Sequence, residues 1–430
     1  MSAPRIGYAG MTHLGLVSGI AAAARGFETV CFDADAARIA PLQRGELPVI
    51  EPGLPELLAT HRDQLTFTAD VAVLAGCDVV YVAPDVPTDD RGGSDLGPLT
   101  ALLALVDGAL KPDGVLVVLS QVPPGFTRAR LRPGRILHYQ VETLIFGRAV
   151  ERATQPERFI VGCADPAERL PASYAAFLGA FGCPILPMRL ESAELAKISI
   201  NMCLVASVSI ANVLADLCER IEADWSEIAP ALKLDQRIGP YAYLAPGLGL
   251  AGGNLERDLA TVLSLAWETG ADAGVVAAFV ADSRRRRDWV LRTLHREVFA
   301  ANPDAVLGIL GLAYKENTHS TKNSPALALI AQLGRWRLKL YDPVVPASAA
   351  GHPGAIAAAS ALDAADGVDA LVVMTPWPAF RTLDPAALAG RMRGRTLIDP
   401  YRTIDGAAAS AAGLDHHILG RPAIRRRAGA

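Results

Sequence analysis

The sequence predicts an α/β protein: two doubly wound parallel-sheet domains joined by a central helical domain with a long helix. Three observations carry this. Strand-like and helical runs alternate over residues 1–187, the βαβ rhythm that builds a parallel sheet with helices on both faces. Over residues 188–301 strand signals nearly vanish. Over residues 302–430 the βαβ rhythm returns.

Taken in order, "PRIGYAG" reads as a short strand into a glycine turn, and "THLGLVSGIAAAARG" as a helix closed by Gly26. "FETVCFDAD" is a second strand ending in Asp33, and "DVVYVAPD" and "GVLVVLSQV" are two more, β-branched and apolar. In the middle, "ESAELAKISINMCLVASVSIANVLADLCERIEAD" reads as one long helix and "ADAGVVAAFVADSRRRRDWVLRTLHREVF" as another. Long exposed helices offer a self-complementary face, so a homodimer or higher homo-oligomer is expected. "AVLGILGLAY", "LKLYDPVV", "DALVVMTPW" and "TLIDPYR" are the strands of the last domain.

Composition excludes several classes. Of 430 residues, 51% are apolar and 20% charged, as in a globular protein of two or three domains. A formal net charge of -4 gives no reason to expect nucleic acid as partner. The basic runs Arg284–Arg287 and Arg425–Arg427 read as a solvated helix face and a frayed tail. Six cysteines without CxxC spacing read as buried free thiols of a reducing compartment. The N-terminus lacks the apolar core of a signal peptide, and no uncharged run is read as approaching the roughly 18 residues of a membrane span. The expectation is a cytoplasmic protein with no membrane partner and no metal.

The first βα turn carries the cofactor signal. A GxGxxG turn lets the backbone approach a pyrophosphate at a helix N-terminus. "IGYAGMTHLG" offers Gly7, Gly10 and Gly15, with Ala9 standing at the second glycine's place. A carboxylate for the ribose hydroxyls belongs about 20 residues on, where Asp33 ends the second strand. Together these point to a Rossmann-like NAD site; Asp33 would repel the 2′-phosphate of NADP. The alternative for Asp33 is a strand-end turn residue.

Six further segments extend the pattern: "RGELPVIEPGLPELL", "VAPDVPTDDRGGSDLGPL", "LSQVPPGFT", "ELAKISIN", "GLAYKENTHSTKNSPA" and "LYDPVV". In this order the chain resembles the UDP-glucose/GDP-mannose dehydrogenases over nearly its whole length. The resemblance implies a dimeric or larger enzyme that oxidises the C6 alcohol of a nucleotide sugar with two NAD. It places Lys197 and Asn201 on one helix face, the lysine stabilising an alkoxide or gem-diol oxygen. It makes Asp258 a general base that holds a water, and Glu142 an acid/base for hydrolysis. It assigns Arg38, Pro84, Ser120 and Lys322 to the cofactor. Arg237 would reach a sugar-nucleotide phosphate, and Leu144, Phe146, Tyr243, Leu244, Gly249, Lys315 and Arg402 would line the substrate.

The pattern breaks at the reaction centre. The family loop reads Gly-Phe-Gly-Gly-Ser-Cys-Phe-Pro-Lys-Asp; here, between Gly249 and Asp258, Gly253 replaces the serine and Asn254 the cysteine. Gln121 replaces a threonine that helps bind the catalytic water, and Phe146 a second glutamate. Four-electron oxidation captures the aldehyde as a thiohemiacetal, and an amide nitrogen cannot form that adduct. The first hydride transfer needs no thiol. The expected activity is therefore one hydride step on a nucleotide sugar, most simply a UDP-sugar. The alternatives are an isomerase using transient oxidation, a binding protein without turnover, and full oxidation through a gem-diol.

Overall fold

The computed structural model describes residues 3–89, 93–251 and 254–426. Residues 90–92, Gly252, Gly253 and Arg427, all in segments named above, lie outside the described residues. The chain divides into two compact units, Met1–Ile200 and Asn201–Ala430.

The first unit is built on eight strands: β1 Ile6–Ala9, β2 Thr29–Phe32, β3 Leu65–Thr68, β4 Val79–Val82, β5 Val115–Val118, β6 Ile136–Gln140, β7 Phe159–Cys163 and β8 Ile185–Arg189. Their spatial order is β3-β2-β1-β4-β5-β6-β7-β8. β1 to β6 run parallel, while β7 pairs antiparallel with β6 and β8 runs with β7. The expected parallel sheet is thus extended by two reversed strands. The central strands read as unbroken apolar runs because both faces are covered. Along β4, Val79 and Tyr81 enter one apolar layer, and Val80 and Val82 the opposite one. Edge strand β8 carries Pro187 and is largely exposed, so its sequence lacks that signature.

Helix α1 (His13–Ala24) is buried along almost its whole length and stops at Gly26, whose φ of 88° suits only glycine. The long helix α2 covers Leu190–Cys218. It is shorter than the stretch read from sequence, because Glu222 takes a left-handed φ of 58° and Asp224 caps a new helix, α3 (Trp225–Leu234), through the Ser226 N–H. Residues 198–215 form an uncharged run of 18, so α2 is long and apolar enough to cross a membrane by length and composition, which corrects the reading above. In the helix window that passes this test, 39% is buried inside the protein.

Two more helices follow, α4 (Asn254–Thr269) and α5 (Gly274–Arg287). The single helix expected to Phe299 breaks at Asp288 and closes with a π-helical turn, His295–Phe299. The basic run in α5 is only partly a solvated face: Arg284 and Arg285 are exposed, but the next two are not. Arg286 is fully buried against Asp216 at 3.3 Å, and Arg287 bonds Glu256 at 3.0 Å. Burial pulls the Arg286 guanidinium below its ordinary pKa, opposed by Glu219 and Asp216. Nor is the tail frayed up to Arg426: Ile424 pairs with His416, and Arg425 bonds Glu297 at 3.0 Å. Six more strands, β9 Val306–Leu310, β10 Arg337–Tyr341, β11 Ala355–Ala357, β12 Ala370–Val373, β13 Thr396–Ile398 and β14 Asp415–His417, form a parallel sheet ordered β11-β10-β9-β12-β13-β14. Of the cysteines, Cys31, Cys77, Cys163 and Cys218 are buried as expected, but Cys183 is half-buried and Cys203 exposed; all are free thiols.

Candidate active site

The order of the first sheet reverses between β1 and β4, and ligands of doubly wound sheets bind at the carboxyl ends of such a pair. Gly10 follows β1 with a φ of 96°, and a Cβ there would lie 2.8 Å from the Pro84 nitrogen. At Gly15, inside α1, a Cβ would lie 2.0 Å from the Gly10 carbonyl oxygen. These two glycines set the turn and the close packing of helix on strand. Gly7 belongs to β1 itself, where a Cβ would meet Val80 Cγ2 at 3.0 Å. The glycine frame is therefore Gly10-x-Thr12-x-x-Gly15. The residue replacing the second glycine is Thr12, not Ala9.

Asp33 sits where the ribose carboxylate was expected. Its Oδ2 accepts from the Met11 N–H at 2.8 Å and from Arg38 Nη1 at 2.9 Å, and its Oδ1 from the Asp35 N–H at 3.0 Å. Pro84 backs the turn, and Ser120 Oγ donates to the Pro84 carbonyl at 2.5 Å. Gly10, Gly15 and Asp33 fit a dinucleotide. Thr12 narrows the backbone's approach to a pyrophosphate.

Two polar clusters hold the residues expected at the reaction centre. In the first unit, Lys197 Nζ lies 3.0 Å from Glu142 Oε2, and the Leu144 N–H donates to Glu142 Oε1. Gln121 is half-buried in the neighbouring loop, which Glu194 holds by accepting the Gly125 and Thr127 N–H groups at 2.6 and 2.8 Å. Burial raises the Glu194 pKa against those bonds. Phe146 packs against His13 with ring centres 4.2 Å apart and the planes tilted by 30°. His13 Nε2 in turn meets the buried Glu51 at 3.1 Å.

In the second unit, Asn201 Nδ2 donates to Asp258 Oδ2 at 2.5 Å, and Arg257 Nε lies 3.4 Å from Asp258 Oδ1. Asp258 is completely buried. Asn254 is exposed at the first turn of α4. Gly249 approaches Ser283 too closely for any side chain, since a Cβ would lie 2.4 Å from its carbonyl oxygen. Leu244 is buried, with its carbonyl accepting from Trp225 Nε1 at 2.7 Å, while Tyr243 stays half-exposed. The basic residues are not gathered. Arg237 grips Asp235 through Nη2 at 2.7 Å and is 88% exposed. Arg402, with a left-handed φ of 55°, holds Asp224 at 2.5 Å. Lys315 and Lys322 lie in the loop after β9, where Lys315 Nζ is 5.6 Å from the Tyr314 ring centre.

Comparison with known proteins matches this organisation segment by segment. Residues 4–177 match the NAD binding domain of the UDP-glucose/GDP-mannose dehydrogenase family, 191–282 its central domain and 308–406 its UDP binding domain. The UDP-glucose 6-dehydrogenase of Pseudomonas aeruginosa is 31% identical, with 96% of each chain covered. The chain belongs to the UDP-glucose/GDP-mannose dehydrogenase family. The UDP-glucose 6-dehydrogenase TuaD of Bacillus subtilis is 29% identical over 98% of this chain and 94% of its own. A solved UDP-glucose dehydrogenase of Pyrobaculum islandicum shares the fold with a TM-score of 0.83 at 24% identity, covering 95% of this chain and 98% of that one. Membership makes NAD the cofactor and the chain a dehydrogenase-family enzyme.

Thr12, His13, Glu51, Arg257 and Glu256 were not singled out from the sequence. Arg257 was visible only as half of an Arg-Asp pair. Glu256 bonds Arg287 and Asn323, partners 31 and 67 residues away that no local pattern announces.

Proposed function

We propose that the chain is an NAD-dependent oxidoreductase of a nucleotide sugar, a UDP-sugar by preference, that transfers hydride without a cysteine thioester route to a uronic acid. One observation carries this reading. Asn254, which falls at the family's cysteine when the loop is aligned on Gly249 and Asp258, is exposed, while a Glu142–Lys197 ion pair and a buried Asn201–Asp258 bond stand ready for a hydride step. NAD, when bound, accepts the hydride. The Lys197 ammonium polarises the reacting oxygen, and Glu142 orients that ammonium. Asp258, held by Asn201, takes the hydroxyl proton directly or through water. The Asn254 amide hydrogen-bonds a hydroxyl or carbonyl. Arg237, Arg402, Lys315 and Lys322 supply positive charge for phosphates, the two arginines exchanging their carboxylate partners for phosphate oxygens.

Thermal-shift titration with a panel of UDP-, GDP- and CDP-sugars tests the substrate class. A UDP-sugar should raise the melting temperature most, and Arg237→Ala should weaken that effect far more than the effect of NAD. No stabilisation by any nucleotide sugar would rule the class out.

The same reading includes a homodimer and a reducing, cytoplasmic setting. Free thiols throughout support the setting. For the dimer, Ile210, Val213, Leu214 and Leu217 of α2 stand exposed at helical spacing, a self-complementary apolar stripe. Sedimentation should give twice 45.2 kDa, and Leu214→Asp with Leu217→Asp should give monomer. A native chain that is monomeric at micromolar concentration would contradict this.

A further inference from the structure

The N-terminus of α1 already has an anionic occupant. The His13 N–H, one of the donors a helix start leaves without an intrahelical partner, donates to Asp85 Oδ2 at 3.0 Å. The return bond is also made: the Asp85 N–H donates to Thr12 Oγ1 at 2.7 Å. Thr12, the N-cap residue, makes no side-chain hydrogen bond to its own helix. Its hydroxyl is turned to the loop after β4 instead. Asp85 is thus clasped to the helix start by two bonds, its carboxylate on the His13 N–H and its own N–H on the Thr12 hydroxyl, across 72 and 73 residues of sequence.

This clasp sits on the donors that a dinucleotide needs. The pyrophosphate of NAD accepts from N–H groups at the N-terminus of this helix, and the second glycine of the turn exists to let it approach. Here the second glycine is Thr12, the donor at His13 is taken by a carboxylate, and carboxylate and pyrophosphate repel one another. Asp85 is exposed on a loop and, among the described residues, is held to the helix start by these two bonds, so it can leave at modest cost.

We propose that Asp85 is a built-in competitor of the cofactor pyrophosphate: it caps α1 when NAD is absent, must swing away for NAD to bind, and so sets a weak cofactor affinity. Thr12 is the latch that positions it. This inference rests on NAD as the cofactor and not on the identity of the sugar.

The experiment is calorimetric titration of the native chain, Asp85→Asn, Asp85→Ala and Thr12→Gly with NAD, alongside melting curves without ligand. Removing the carboxylate should tighten NAD about two- to fivefold, the scale of one exposed charge at a helix N-terminus. It should also lower the melting temperature slightly, because the cap is lost. Opposite signs for affinity and stability mark a competitor. Asp33→Ala, which removes a carboxylate of the ribose seat, should weaken NAD and serves as the reference for a correctly placed cofactor. Unchanged or weaker NAD binding in both Asp85 variants, or no NAD binding by any of the chains, would overturn the proposal. Titration of the same variants with a UDP-sugar alone reads the sugar assignment separately, and there Asp85→Asn should match the native chain.

Discussion

Asp258→Asn and Lys197→Ala should each lower turnover by about 10²–10³-fold, the loss typical of removing one electrostatic contributor at a reacting oxygen. The two arise differently. Asp258 is completely buried, with Asn201 on one oxygen and Arg257 on the other. Its amide keeps the shape but turns a donor toward either Asn201 Nδ2 or Arg257 Nε. That variant should therefore also lose stability, by about 1–3 kcal/mol for a buried polar group left unmatched. Lys197 and Glu142 are 12% and 16% exposed, so Lys197→Ala leaves a largely buried carboxylate without its cation and should cost stability as well as turnover. NADH absorbance under saturating NAD and sugar, paired with melting curves, separates the effects. Turnover within threefold of native for either folded variant would remove that residue from the chemistry.

Restoring the thiol alone should not restore a uronic acid. In the native chain no side chain at position 254 can add covalently to an aldehyde, so intact-mass analysis with NAD and UDP-glucose should find no adduct. Asn254→Cys supplies the nucleophile, but on the reading proposed above Gln121 and Phe146 also depart from the family pattern, and residues that act as a unit are not additive. Phe146 is moreover committed to His13 at 4.2 Å. The variant should form an adduct yet release uronic acid at background rate. Full activity from this single substitution would show that Gln121 and Phe146 do not matter.

The sheet cores were legible because buried parallel strands must be continuous apolar runs: β1, β2, β4 and β5 all announce themselves. β3, β7 and β8 do not. β3 alternates at an edge, and the reversal at β7 is a pairing choice that local sequence does not encode. At the site, Asp33 was singled out by its spacing after a strand end, whereas Lys197, Asn201 and Asp258 were named only through the family resemblance. The glycine frame was misplaced by three residues: Gly7 lies inside β1, and a packing glycine in a strand looks the same in sequence as a turn glycine. The Arg286 ion pairs, the Glu51–His13 contact and the Asp85 clasp join residues 38 to 73 apart. They exist only once the chain is folded.

The most direct test of the central claim counts NADH per sugar. Native protein is incubated to completion with NAD and a limiting UDP-sugar that stabilises it, and the product is identified by mass spectrometry. At most one NADH per sugar consumed, and no uronic acid, is expected. Two NADH per sugar, with the UDP-uronate as product, would contradict it and show that the second oxidation proceeds without the thiol.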